Sequence, residues 1–167
     1  MAPLDPMMLG RLYRRHAPAL RLFARQWGES GEDLVQEAFL RLARQTPPPE
    51  SVLPWLYRVV RNAALAALRT AVRRRHREQR ASTPESWFHR AEDQLDAREA
   101  TRLLAELPLE FREVIVARIW GGLNFEEIAE LIGCSLPTAH RRYHGGLAQL
   151  RERLDSPCTT IPNNRTN

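Results

Sequence analysis

The sequence predicts an all-α protein built from two small helical domains joined by a flexible linker. Apolar residues recur three and four positions apart along most of the chain, and no segment sustains the period-two alternation of a half-buried strand. Charge divides the 167 residues into unlike halves: residues 1–82 hold 15 arginines and 7 acidic residues, whereas residues 104–167 hold 7 and 8. A chain of this length suffices for two small domains. We therefore predict domains at 7–80 and 103–154, a linker at 81–102 and a disordered tail at 155–167.

Three amphipathic helices are predicted in the N-terminal domain. The first covers residues 7–27 and ends at a Gly-Glu-Ser-Gly sequence. The second covers residues 34–43 and stops at three consecutive prolines. The third runs from residue 52 to about residue 75, where its apolar stripe disappears among arginines. Three helices with one apolar face each can close a small core.

The C-terminal domain has the spacing of a helix-turn-helix motif. Pro108 opens a helix that two consecutive glycines end. Asn124 is a good N-cap, and Glu127 three positions later completes the pattern of a capping box. A glycine-cysteine turn follows, and Ser135 caps a last helix that runs to Leu154. In such a motif the second helix lies in the major groove of DNA.

The last helix carries side chains suited to reading duplex DNA. Hydroxyl and guanidinium groups donate hydrogen bonds to phosphates, and an arginine can bind O6 and N7 of guanine together. The candidates are Ser135, Thr138, His140, Arg141 and Arg142. The alternative is a helical hairpin that serves only as a packing unit.

A second candidate surface is cationic. All 25 basic residues are arginine, which suits phosphate contact but is explained equally well by a high-GC genome. Six arginines at 69–80 extend the helix that bears Trp55, Arg58, Arg61 and Asn62. Aromatic and guanidinium groups on one helix suit unpaired bases, through stacking and phosphate contact. The alternatives are a solvated helix end and, for Trp55, a place in the core.

A third group of polar side chains shares one face of the second helix. Asp33, Gln36 and Glu37 are spaced to lie opposite the apolar stripe. Such a face is usually only solvated, and nothing in its chemistry alone indicates a partner.

Several function classes are excluded by the same sequence. The longest apolar stretches are far shorter than the roughly 18 residues that span a bilayer, and no secretory signal is visible. Two cysteines are too few for a disulfide scaffold, which favours a reducing, cytoplasmic setting. A metal ion could in principle be shared by His140, His144 and Cys134, but two arginines lie between the histidines. We therefore expect no metal site. Without a phosphate-binding loop or nucleophile elbow, we expect neither an enzyme nor a cofactor.

Four motifs occur in an order that resembles a known family. They are Leu12-Tyr13-Arg14-Arg15, Asp33-Leu-Val-Gln-Glu-Ala-Phe39, Trp55-Leu-Tyr-Arg-Val-Val-Arg-Asn62 and the C-terminal helix-turn-helix. Their joint order and spacing resembles extracytoplasmic-function (ECF) sigma factors of the sigma-70 family of bacterial RNA polymerase subunits. The resemblance covers residues 9–80 and 103–154, and it implies sigma regions 2 and 4 without region 3.

The resemblance gives each candidate surface a role. It implies that Asp33, Gln36 and Glu37 dock on the β′ clamp helices of core polymerase, with the β subunit as a further contact. It implies that the helix bearing Trp55, Arg58, Arg61 and Asn62 recognises and helps to melt the −10 promoter element. The helix bearing Ser135, Thr138, His140, Arg141 and Arg142 would read the −35 element. Such factors are generally held inactive by an anti-sigma protein or another regulator.

The sequence departs from the family pattern at several places, among them a tight connection at residues 28–31. Ala66 stands where many members carry aspartate, and residues 45–53 form a short, proline-rich connection. Gly145 and Gly146 fall inside the last helix, where they could shorten the helix or permit close packing. The alternative function is a stand-alone helix-turn-helix regulator that binds duplex DNA without polymerase.

Overall fold

The computed structural model describes residues 4–28, 31–78 and 102–155. Every regular element in these ranges is helical, which confirms the all-α fold class. The predicted linker, apart from residue 102, and the predicted tail, apart from residue 155, lie outside the described residues.

Three helices form the N-terminal half. Helix α1 is Pro6–Ala24, followed by a 3₁₀ turn at Arg25–Trp27, while α2 is Gly31–Arg44 and α3 is Val52–Glu78. Acidic residues occupy the first turn of α2 and arginines its last turn, an arrangement that complements the helix dipole. The apolar stripes meet in a core whose fully buried members include Leu20, Phe23, Val35, Leu42, Leu56 and Val60.

Within residues 102–155, the C-terminal half has three further helices and a shorter helical segment. A helical segment at residues 102–106 precedes α4, Leu109–Ile119, which is followed by α5, Phe125–Ile132, and α6, Leu136–Asp155. The predicted capping box is present: the Asn124 side chain accepts a hydrogen bond from the backbone N–H of Glu127, and the Glu127 carboxylate accepts one from the backbone N–H of Asn124, each at 2.8 Å. Helices α5 and α6 therefore have the expected helix-turn-helix order.

Gly146 permits close helix packing, and neither of the two glycines within α6 shortens the helix. Helix α6 continues through them to Asp155. A Cβ atom on Gly146 would lie 2.7 Å from Cδ1 of Ile115 and 2.9 Å from Cβ of Phe111, both on α4. The absent side chain thus lets α6 approach α4, which decides the alternative that the sequence left open.

The two halves pack against each other. Most of their buried apolar residues belong to one continuous cluster that includes Tyr57 of α3 and Leu123, just after α4, while Leu104, Leu107 and Ile115 form a second, smaller cluster in the C-terminal half. Tyr57 is fully buried, and a Cβ atom on Gly121 would lie 2.7 Å from its hydroxyl oxygen. The turn after α4 therefore rests directly on α3.

Candidate nucleic-acid and polymerase interfaces

The acidic face of α2 is open to solvent. Asp33, Gln36 and Glu37 are all exposed on the same helix, as the sequence predicted. Glu37 accepts a hydrogen bond from Nε of Arg41 at 2.9 Å, one turn further along. The three side chains form one surface, because positions three and four apart are neighbours on a helix.

An apolar groove that the sequence analysis did not find adjoins this face. It lies between α1 and α2, has a volume of about 490 Å³, and is bordered by Gln36. The Tyr13 ring meets Phe39 edge-to-face at a centroid distance of 4.9 Å. The residues lining the groove are Pro6, Leu9, Gly10, Tyr13, Arg14, Gln36, Phe39 and Leu40. The sequence held one signal for this groove. Leu40 is a large apolar residue next to the buried Phe39 but outside the apolar stripe of α2, and it is half-exposed.

The four candidates on α3 lie on one side of the helix. At about 100° per residue, Trp55, Arg58, Arg61 and Asn62 fall within an arc of about 120°. Arg58 and Asn62 are exposed, whereas Trp55 is half-buried and packs against the core. Trp55 thus combines core packing with partial exposure.

Two arginines of α3 are paired with carboxylates of the C-terminal half. Nη2 of Arg58 lies 3.4 Å from Oε2 of Glu130 on α5. Nε of Arg61 donates a hydrogen bond to Oε1 of Glu113 on α4. Neither carboxylate partner was predictable from the sequence, because Glu113 and Glu130 occupy ordinary polar positions of their helices.

Of the cationic extension of α3, Arg69, Arg73 and Arg74 are exposed. Arg75, Arg77 and Arg80 lie outside the residues whose side chains are described. The described part of the run is therefore a solvent-facing cationic surface.

The candidates on and before α6 divide into capping residues and outward-facing ones. Ser135 and Thr138 hydroxyl oxygens are 2.9 Å apart, and the backbone N–H of Thr138 donates to Oγ of Ser135 at 3.3 Å. Ser135 therefore caps α6, as the sequence predicted. His140 is exposed and stacks on Phe125, with ring centroids 3.8 Å apart.

The two neighbouring arginines of α6 differ in their surroundings. Arg141 is exposed. Nη2 of Arg142 lies 3.4 Å from Oε2 of Glu110 on α4, and its side chain is about a quarter exposed. Arg141 is consequently the freer of the two to reach a ligand, a distinction that spacing along the helix did not reveal.

Burial changes the pKa of Tyr57, which lies beneath the contact between the two halves. Removal of the Tyr57 phenol from water raises its pKa above the ordinary value, because burial disfavours the charged phenolate. The Tyr57 hydroxyl therefore stays protonated, and it has no hydrogen-bond partner among the described residues.

Within the described ranges, no group of three or more His, Cys, Asp or Glu side chains is placed to hold a metal ion. None of the helices in these ranges is both long enough and apolar enough to cross a membrane.

The fold and these surfaces define a class: a helical DNA-binding protein with a cationic helix in one half and a helix-turn-helix in the other. Residues 12–75 match the family Sigma-70 region 2, and residues 97–150 match the family Sigma-70, region 4.

Two relatives carry the same identification. The chain is 35% identical to RNA polymerase sigma factor CarQ of Myxococcus xanthus, over 86% of this chain and 87% of CarQ. It is 37% identical to ECF RNA polymerase sigma factor SigE of Mycolicibacterium smegmatis, over 86% of this chain but only 60% of SigE. The chain therefore belongs to the sigma-70 family, in its ECF group of RNA polymerase sigma factors.

Two solved structures share the fold. Sigma factor RpoE of Bartonella quintana, solved with the anti-sigma factor NepR, aligns with a TM-score of 0.71 at 23% identity, over 89% of this chain and 97% of RpoE. CnrH, solved with the cytosolic domain of CnrY, aligns with a TM-score of 0.61 at 25% identity, over 92% of this chain and 91% of CnrH. These alignments extend over both halves of the chain.

Proposed function

We propose that this sigma factor acts in the cytoplasm, gives core RNA polymerase its promoter choice, and catalyses no reaction itself. The observation that carries the proposal is the presence in one chain of three distinct surfaces: an open acidic face on α2, a cationic face on α3 and a capped helix-turn-helix. A stand-alone regulator that binds duplex DNA would need neither the acidic face on α2 nor the cationic face on α3.

The first proposed role is docking on core polymerase. Asp33, Gln36 and Glu37 would contact the clamp helices of the β′ subunit. Their exposure supports this role, as does the adjoining apolar groove, since interfaces combine an apolar centre with a polar rim.

The second proposed role is recognition and opening of the −10 element. Arg58, Arg61 and Asn62 would contact the DNA backbone and unpaired bases, and the exposed part of Trp55 would contribute a stacking surface. Holoenzyme contacts would offset the free energy of unstacking, which amounts to a few kcal/mol in base flipping.

The third proposed role is recognition of the −35 element as duplex. The N-terminus of α6 would face the DNA, where Ser135 and Thr138 lie near phosphates and Arg141 and His140 reach base edges. Arg142 would first have to leave Glu110.

An anti-sigma protein is a further proposed partner. The family resemblance implies one, and the related RpoE of Bartonella quintana was solved in complex with such a protein. An intact regulatory complex would be sought by co-purification from the native host.

The experiment that tests the proposed function is run-off transcription with purified core polymerase over a library of promoter sequences. We expect transcripts from a small set of templates that share −35 and −10 motifs. Duplex binding without polymerase-dependent transcription would instead support the stand-alone regulator.

Charge reversal on α2 tests the docking role. We expect Asp33→Arg combined with Glu37→Arg to weaken association with core polymerase by about tenfold or more, because like charges at an interface repel. Fluorescence anisotropy of the labelled sigma factor measures the dissociation constant. Glu50→Arg, at an exposed position between α2 and α3, is the control. Unchanged affinity of a double variant with native circular dichroism would contradict the docking assignment.

A further inference from the structure

Two imidazole side chains lie side by side on the surface of α6. His140 and His144 are both exposed, and their rings are nearly parallel, with an interplanar angle of 17° and centroids 6.4 Å apart. His140 belongs to the proposed −35 surface, and His144 extends that surface by one turn. Because residues four positions apart are neighbours on a helix, a single anion placed between the rings would contact both.

Aromatic contacts hold the imidazole pair in place. The His140 ring stacks on Phe125 of α5 at a centroid distance of 3.8 Å. Tyr143 meets both Phe125 and His144 edge-to-face, each at a centroid distance of 5.4 Å. The ring nitrogens of the two histidines form no hydrogen bond or ion pair with any other described residue. Both imidazoles are therefore held in position by packing while their nitrogens are left for a ligand.

The charged groups nearest to the pair are positive. The Arg118 guanidinium of α4 lies 5.0 Å from the centroid of Phe125, the ring on which His140 stacks. On α6 itself, Arg141 follows His140 and is exposed. The carboxylates of α4 and α5 contact other groups or face solvent, and none of them forms an ion pair with either histidine: Glu110, Glu113, Glu126, Glu127 and Glu130. Positive charge on the pair therefore requires an anion from outside the described chain for its compensation.

We infer that His140 and His144 form one proton-dependent phosphate site, which binds the DNA backbone when the imidazoles carry protons. This inference rests on the proposed function, because it deepens the recognition of duplex DNA by α6. Imidazole is the side chain that ordinarily changes its charge between pH 5 and 8, and both nitrogens of its charged form donate hydrogen bonds. A protonated pair thus offers a phosphate two N–H donors on each ring and two positive charges.

Electrostatics sets the direction of the pH dependence. Two protonated imidazoles 6.4 Å apart repel each other, and the cations of Arg118 and Arg141 add to this repulsion. A phosphate against the pair attracts both charges, so DNA binds the protonated form better than the neutral form. By linkage, DNA binding draws protons onto the pair, and the affinity for DNA rises as the pH falls from 8 to 6. Arginine at the same positions would be charged throughout this range and would give no such dependence.

Fluorescence anisotropy with a labelled 20-base-pair duplex of mixed sequence tests the site in the full-length chain. A mixed sequence suffices, because phosphate contacts do not depend on base sequence. The dissociation constant would be measured at pH 6 and pH 8 at one fixed ionic strength, since salt alone changes it strongly. We expect the parent protein to bind the duplex about five- to tenfold more tightly at pH 6.

Two double variants and a control separate the pair from other titrating groups. His140→Gln with His144→Gln should lose most of the pH dependence, because glutamine stays neutral. His140→Arg with His144→Arg should bind the duplex at pH 8 at least as tightly as the parent protein does at pH 6, because its charge is permanent. His16→Gln is the control, since His16 lies on α1 outside the proposed DNA surfaces, and it should keep the parent's pH profile.

Calorimetry of the same binding reaction measures the protons directly. Titrations in two buffers of different ionisation enthalpy give the number of protons taken up per bound duplex. We expect about 0.5–1 proton near pH 7 for the parent protein and close to none for the glutamine double variant. A purely structural role of the histidines would change the affinity without changing the proton uptake.

Three results would overturn the inference. They are equal duplex affinity of the parent protein at pH 6 and pH 8, a glutamine double variant with the parent's pH profile, and no duplex binding at either pH. Circular dichroism at both pH values checks that each variant is folded. If the glutamine double variant does not fold, the arginine double variant decides, because pH dependence retained there would place the titrating group elsewhere.

These binding measurements need neither polymerase nor a promoter. Proton-linked duplex binding by a chain that fails in run-off transcription would reject the proposed function and leave the phosphate site standing. Normal transcription by a chain whose duplex affinity does not change with pH would reject the phosphate site alone.

Discussion

At the scale of single residues, two adjacent glycines of α6 have different surroundings. A Cβ atom on Gly145 would lie 3.5 Å from Cε1 of Phe111, an ordinary contact, whereas on Gly146 it would approach Ile115 and Phe111 to 2.7 and 2.9 Å. The sequence could not distinguish these positions, because both fall within the same helical pattern. Only the approach of α4, which lies about thirty positions away, decides which glycine is required.

We expect opposite effects from alanine at the two positions. Gly145→Ala should raise the free energy of unfolding by about 1 kcal/mol, since alanine is the better helix former. In Gly146→Ala the same gain is offset by overpacking, typically about 1–3 kcal/mol, so that variant should be less stable than the parent protein. Urea unfolding followed by circular dichroism measures both. Equal shifts of the two variants would contradict the packing role of Gly146.

At the scale of elements, the best predicted feature is the start of α5. Its capping box was evident from the sequence because it uses two residues three positions apart. The helix has only eight residues, too short to be stable alone in water, so its cap and its packing against the neighbouring helices both matter. Local signals of this kind also set the ends of α4 and the beginning of α6.

Asn124→Ala should lower the free energy of unfolding by about 1 kcal/mol, because the backbone N–H of Glu127 loses its acceptor. Asn124→Ser is the matched control, since serine can accept the same hydrogen bond and should retain most of the stability. Thermal unfolding by calorimetry compares the two. An equal loss of unfolding free energy in both variants would contradict the role of the side-chain hydrogen-bond acceptor at position 124.

At the scale of the whole molecule, the sequence predicted which residues form each candidate surface but not how the surfaces relate to one another. Arg61 and Glu113 are 52 positions apart, and Arg58 and Glu130 are 72 apart. Helical periodicity indicates only which side of a helix is apolar. It places the charged residues of both pairs on the polar side of their own helix and does not indicate their partners. The pairing depends on the docking of two domains, for which no local pattern is diagnostic.

The continuous apolar cluster also predicts how the chain unfolds. Each half is small enough for its own core to be marginal, so contact with the other half should join them in one cooperative transition. We expect coincident urea curves from tryptophan fluorescence of a variant carrying Trp87→Phe and Trp120→Phe, which retains only Trp27 and Trp55 of the N-terminal half, and from circular dichroism of the whole chain. In the same background, Glu113→Gln should separate the two midpoints. Separate midpoints in the chain that retains Glu113 would contradict this coupling.

The exposed arginines of α3 have a consequence for how such a factor searches for its promoters. Arg69, Arg73 and Arg74 face solvent and read no sequence by themselves. A chromosome offers about 10⁶–10⁹ competing sites, and a cationic helix binds all of them through phosphates. The time that a free copy spends on bulk DNA would therefore fall steeply as the salt concentration rises, so the ions around the chromosome would set the pace of the search as much as the promoter sequence does.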